Sequence, residues 1–188
     1  MKKKSLGILM ALLLVVGAGV YTYARYSSSF TGTGTADVAK WQVNLTQGGA
    51  AVGETFDLDL DIAESEFVAA DKIAPGISAT ATLVLDLSGT EVATDYELDL
   101  SGVTNLPEGM EISSVTAKVA DGNAETLTAQ GGKYSGFVEL ADIAKAITFE
   151  ITVTWENDDA NNATDTTAGK TLEDLTIPVT VTAKQHIG

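Results

Sequence analysis

The body of this chain is predicted to be all-β, an antiparallel β-sandwich of about nine strands. Three observations lead there. Apolar and polar side chains alternate with period two along most of the 188 residues. Turn signals built on glycine interrupt the alternation at short intervals, and helical periodicity is scarce.

In chain order, the first element is a leader. Lys2, Lys3 and Lys4 make a cationic start, and Leu6 to Val20 is an uncharged, mostly apolar run. Its length suits the h-region of an export signal and falls short of the roughly 20 residues a membrane-spanning helix needs. Residues 1–24 therefore read as a signal peptide, with the small residues Thr22 and Ala24 placing cleavage between Ala24 and Arg25. An uncleaved anchor is the alternative, with Tyr21 and Tyr23 as interfacial aromatics. Residues 25–35, RYSSSFTGTGT, then form a flexible N-terminal arm.

Residues 36–188 are expected to be the sandwich domain. Ala39, Trp41, Val43 and Leu45 alternate with Lys40, Gln42 and Asn44, and Phe56, Leu58, Leu60 and Ile62 with Asp57, Asp59 and Asp61. The longest pattern sets Ile77, Ala79, Ala81, Leu83 and Leu85 against Ser78, Thr80, Thr82, Val84 and Asp86. Tyr96, Leu98 and Leu100 continue it, as do Ile147, Phe149, Ile151, Val153 and Trp155, and then Ile177, Val179, Val181 and Ala183. Each reads as a half-buried strand. Less regular strands are placed at Met110 to Val119, Glu125 to Ala129 and Tyr134 to Leu140. Gly48-Gly49, Pro75-Gly76, Ser88-Gly89, Asp121-Gly122 and Gly131-Gly132 supply the turns. Ala63 to Ala74 and Ala141 to Ala146 are each given a turn or two of helix.

Composition limits the function. Removal of the leader leaves about 164 residues, enough for one domain with a sizeable core. Cysteine is absent, so disulfides and thiolate metal sites are excluded and packing must supply the stability. The formal charge is −15, and without the leader lysines 8 basic residues stand against 26 acidic ones, giving −18. Nucleic acid and anionic membrane surfaces are poor partners for such a body, whose charge reads as a solvated surface rather than a cation site. The membrane is touched only through the precursor leader.

Nothing in the sequence argues for an enzyme or a cofactor. His186 is the only histidine and reads as an ordinary tail residue, which removes zinc-protease motifs and histidine-based triads. In ENDDANNATDT, Glu156 to Thr166, the oxygen ligands Asp158, Asp159, Asn161 and Asp165 are calcium candidates, but they lack EF-hand spacing and read first as an acidic loop. Asn44 and Asn162 head glycosylation sequons, which matter only in a glycosylating host.

Three segments, VYTYARYSSSFTGTGTADVAKWQVNL, IAPGISATATLVLDLSGTEVATDYELDL and FEITVTWENDDANNATDTTAGKTLEDLTIPVTVTAKQ, resemble in their order the TasA and camelysin family of secreted β-proteins. Arg25 departs from the small or neutral residue usual there, and no zinc motif supports the peptidase label of camelysin-like members. The resemblance implies a jelly-roll-like sandwich and a structural subunit of extracellular fibres, on a prokaryotic cell surface or in a biofilm matrix. It also implies a use for the arm: addition as a strand to the neighbouring subunit, giving an open head-to-tail homopolymer. Tyr26 and Phe30 then share one face of an extended strand, with Ser28 between them and Gly32 after. Without the resemblance, the arm reads as a disordered spacer.

The expected partners are therefore other copies of the chain, signal peptidase during export, and a minor assembly or anchoring protein. The second reading is a carbohydrate-binding or adhesion module, since exposed tryptophans stack on sugars, and a protease stands third. Trp41 and Trp155, however, fall on the apolar phase of their strands and are assigned to the core.

Overall fold

Alternating side chains become two antiparallel sheets when one face of every strand finds apolar partners on the other sheet. In the computed structural model, which describes residues 39–53, 55–171 and 175–187, this happens twice over. The first sheet contains β1 (Asn44–Gln47), β2 (Ala50–Ala51), β4 (Asp61–Ile62), β5 (Ser78–Asp86), β7 (Met110–Val119), β8 (Glu125–Thr126) and β10 (Ile147–Trp155). Its order is β2-β1-β5-β10-β7-β8, with β4 also on β5. The second sheet runs β3-β11-β6-β9, from β3 (Thr55–Asp57), β11 (Pro178–Gln185), β6 (Thr94–Asp99) and β9 (Lys133–Val138). A single helix among the described residues, α1, covers Asn162–Thr171.

Both sheets contribute to one core. Leu83, Leu85, Ile147, Phe149, Ile151 and Val153 from the first sheet are buried with Leu98, Val138 and Val179 from the second. The rings of Tyr96 and Phe149 meet edge to face across the sheets, centroids 5.0 Å apart. Each fully buried aliphatic or aromatic side chain of this kind contributes about 1.5–3 kcal/mol, which is how a chain without disulfides holds together. From β5 onward the main strands alternate sheets, β5 in the first, β6 in the second, β7 in the first, β9 in the second, β10 and β11 likewise. The strongest pairings therefore join residues far apart in sequence, such as Ile151 with Ala81.

The central strand β10 pairs with β5 from Ile147 to Thr154, and with β7 from Ile147 to Trp155. On the β7 side Thr152 faces Ser114 and Val153 faces Ile112, so Ser113 is an extra, bulged residue. Its hydroxyl bonds Thr154 Oγ1 at 2.8 Å.

The long expected strands are present with ends shifted by a residue or two, and three expectations need correction. Ala39 to Val43 is not a strand, because it is held instead by the turn after β5: Lys40 N donates to Glu91 Oε2, Glu91 N to Lys40 O, and Gln42 N to the hydroxyl of buried Thr90. Phe56 to Ile62 is two strands, since the chain leaves the second sheet after Asp57 and enters the first at Asp61. The alternation survives because Leu58 and Leu60 face the core while crossing. Ala63 to Ala74 carries bends and turns rather than helix, with Asp71 at a left-handed φ of 59° that stops a right-handed turn. Ala141 to Ala146 is nearer the mark, as Leu140–Asp142 is a 3₁₀ turn.

The proposed signal peptide 1–24, its cleavage point at Ala24 and Arg25, and the arm 25–35 with Tyr26, Ser28, Phe30 and Gly32 lie outside the described residues. The compact unit that contains the sheets is Ala39–Gly188.

Candidate functional site

The site is an unfinished sheet edge over an apolar groove. In the antiparallel ladder between β11 and β6, Thr180 faces Asp99, Thr182 faces Glu97 and Lys184 faces Asp95. His186 N donates to Ala93 O at 2.8 Å, so even-numbered residues of β11 direct their main-chain groups toward β6. Odd-numbered residues direct theirs to the opposite edge, where Leu58 N bonds Ile177 O at 2.9 Å and β3 takes Pro178 to Thr180. β3 begins at Thr55, opposite Thr180, and Val52, three residues earlier, donates its N–H to Leu45 O in the first sheet. The edge at Ala183 and Gln185 has no partner strand among the described residues.

Beside that edge runs a groove of about 400 Å³ lined by Trp41, Val43, Leu45, Val52, Val181 and Ala183. Alternation explains its walls: Leu45 points inward from β1 with Val43 just before that strand, and Val181 and Ala183 from the second sheet. Trp41 is 45% exposed at the groove, so the expectation that it belongs to the core is corrected. It lies before β1, where no strand among the described residues covers it. Trp155 is in the core as expected.

An extended peptide laid in the groove would meet N–H and C=O groups that no described strand pairs along one side and apolar side chains beneath. The arrangement suits the binding of an extended chain. Sequence reasoning identified Val181 and Ala183 only as strand residues. Their role as an edge depends on where β3 stops, which no local pattern announces.

The calcium candidates do not converge. Asp158 Oδ1 accepts from Ala160 N at 3.0 Å, capping a 3₁₀ turn, Asp159–Asn161, that holds Asp159 and Asn161. Asp165 is buried under α1, where its Oδ1 accepts from the Trp155 indole N–H at 3.0 Å. Among the described residues no group of three His, Asp or Glu side chains is arranged to hold a metal ion. The acidic loop is thus a cap followed by a helix.

His186 is more than a tail residue. Its Nδ1 lies 2.8 Å from Asp95 Oδ1 and its ring packs on Phe137 at 4.2 Å, extending the hold of β11 on β6 and β9. Of the sequon residues, Asn44 is exposed at the start of β1 and Asn162 opens α1.

Among the described residues no helix is long and apolar enough to cross a membrane. Comparison with family models, with curated proteins and with solved structures returns no match.

Proposed function

We propose that this chain is a secreted, cofactor-free structural subunit that polymerises head to tail into extracellular fibres of a prokaryotic cell surface or biofilm matrix. In this reading the sandwich is jelly-roll-like, and residues 25–35 of one subunit add as a strand to the next. The observation that carries the reading is the β11 edge at Ala183 and Gln185, which has no partner strand among the described residues, beside a groove lined by apolar side chains. An unpaired edge is a template for another chain, and natural sheets usually block it. Tyr26 and Phe30 of an incoming arm would occupy the groove against Trp41, Val43 and Val181, while its main chain completes the sheet.

A second reading, carbohydrate binding, is favoured by the exposure of Trp41, which presents an aromatic surface beside the groove.

Negative-stain electron microscopy of residues 25–188 beside residues 36–188, concentrated in the same buffer, separates the two. Filaments from the longer form alone support arm-driven assembly. Folded monomers from both, with glycan retention that falls on Trp41→Ala, would replace it with the second reading.

A further inference from the structure

The segment Ala63 to Ala74, which joins β4 to β5, is mostly exposed to solvent, with Ile73 against the core. Its ends are tied, Ala63 N to Ser78 O at 3.0 Å and Ile77 N to Ala74 O at 2.9 Å. Between Glu64 and Ile73 no main-chain hydrogen bond to another main-chain group is present among the described residues, and the one local bond is Phe67 N to Ser65 Oγ. Beneath this strap lies a cavity of about 840 Å³ that reaches Leu58, Met110 and Trp155, and a hollow of about 520 Å³ follows the strap itself from Asp61 to Lys72. Phe67 is 94% exposed, far more than Trp41 or Phe137, each at 45%.

An endoprotease binds its substrate as an extended strand, so the substrate must present main-chain groups that are not already paired. A segment without such pairing opens at almost no cost, whereas a sheet strand opens only with its neighbours. The strap meets that requirement over its whole length and carries a large aromatic side chain free to enter a hydrophobic specificity pocket. The other exposed aromatics do not meet it. Phe137 lies in β9, paired with Asp95 and packed on His186, and Trp41 lies in the segment pinned by Thr90 and Glu91.

We propose that the strap is a processing site, hydrolysed between Phe67 and Val68 by an extracellular endoprotease with aromatic preference, and that the cut opens the cavity beneath it as an apolar surface. The reaction consumes one water. The Phe67 C–Val68 N bond breaks, the hydroxyl goes to the Phe67 carbonyl carbon, and the proton goes to the new Val68 amine. The two fragments stay together, because β1 remains paired with β5 and β3 with β11. The parted ends uncover Leu58, Met110 and Trp155. The extracellular partner rests on the exported reading above; the scissile bond does not.

Limited digestion of the chain with chymotrypsin, with fragments weighed by mass spectrometry, tests this. Within Ala39–Gly188 the first cut is expected at Phe67–Val68, and Phe67→Ser should slow cleavage of that unit at least about tenfold, as the next sites require strand opening. The nicked protein should keep a cooperative unfolding transition and bind several-fold more of a hydrophobic dye, on the order seen when buried apolar surface is released. A first cut elsewhere in the unit, an unchanged rate for Phe67→Ser, loss of the unfolding transition on nicking, or unchanged dye binding would each overturn the proposal. A protein found inside the cell but cut at Phe67 would instead remove the exported reading and leave the site standing.

Discussion

The indole N–H of Trp155, the last residue of β10, donates at 3.0 Å to Asp165 Oδ1 inside α1, and both side chains are buried. This bond anchors a helix that has little else in its favour. Its sequence NATDTTAGKT is poor in helix formers, and the hydroxyls of Thr166, Thr167 and Thr171 each bond the carbonyl one turn back. Asp165→Ala leaves the indole N–H buried without an acceptor and should cost about 1–3 kcal/mol. Asp165→Asn keeps an acceptor and, because Asp165 Oδ2 has no partner to lose among the described residues, should cost less. Urea unfolding followed by tryptophan emission reads both; equal losses would mean that the bond is not what holds α1.

That contact also marks a limit of reading the sequence. β5 and β10 were legible because their buried residues, such as Leu83 and Ile151, follow a strict two-residue phase that one-sided burial requires, whereas β7 read as less regular because the bulge at Ser113 shifts its phase between Met110 and Val115. The helix was not, since neither propensity nor an apolar stripe announces Asn162–Thr171, and its anchor comes from another element. Trp41 shows the converse failure. It keeps the apolar phase of β1, yet hydrogen bonds to the turn at Thr90 hold its segment outside the sheet. The edge at Ala183 was hidden for a topological reason: β3 begins only at Thr55, opposite Thr180.

Gly136 owes its identity to Tyr96. The two are paired across β6 and β9, and a Cβ built on Gly136 would collide with the tyrosine Oη and Cζ. Gly136→Ala must displace the Tyr96 ring and disturb its packing on Phe149, at a cost of about 1–3 kcal/mol. Combining it with Tyr96→Val, which removes the obstructing ring, should cost less than the sum of the single changes. Thermal unfolding of the four proteins measures the difference, and strict additivity would show that the ring and the glycine do not compete for space.

Lys133 and Asp99 give the domain an acid-sensitive pair. The Lys133 ammonium, 2.7 Å away, holds the Asp99 carboxyl at about 2 instead of 3.8, helped by the Ser101 hydroxyl and N–H. A pKa depressed by folding stabilises above the unfolded value and is lost as pH falls through the folded one, here from about 4 to about 2. Lys133→Met should raise the Asp99 pKa, lower the urea midpoint at neutral pH and flatten its fall over that acid window. A carbon-detected NMR titration of Asp99 follows the first effect directly; an unmoved titration would assign the depression to Ser101 instead.

Proline separates the two sides of β11. At Ala183 the main-chain N–H faces the unpartnered edge, so Ala183→Pro removes a donor that no described residue uses, and the β6 ladder stays intact. At Lys184 the N–H belongs to the phase that bonds Asp95, so Lys184→Pro breaks the ladder and should cost about 1–3 kcal/mol. If an arm completes this edge, Ala183→Pro should melt close to the unsubstituted protein yet form filaments far more slowly, while Lys184→Pro melts lower. Electron microscopy and calorimetry on the same samples distinguish the cases. Normal filaments from Ala183→Pro would move the docking edge elsewhere, and the outer side of β9, the far strand of the same sheet, would be next to block.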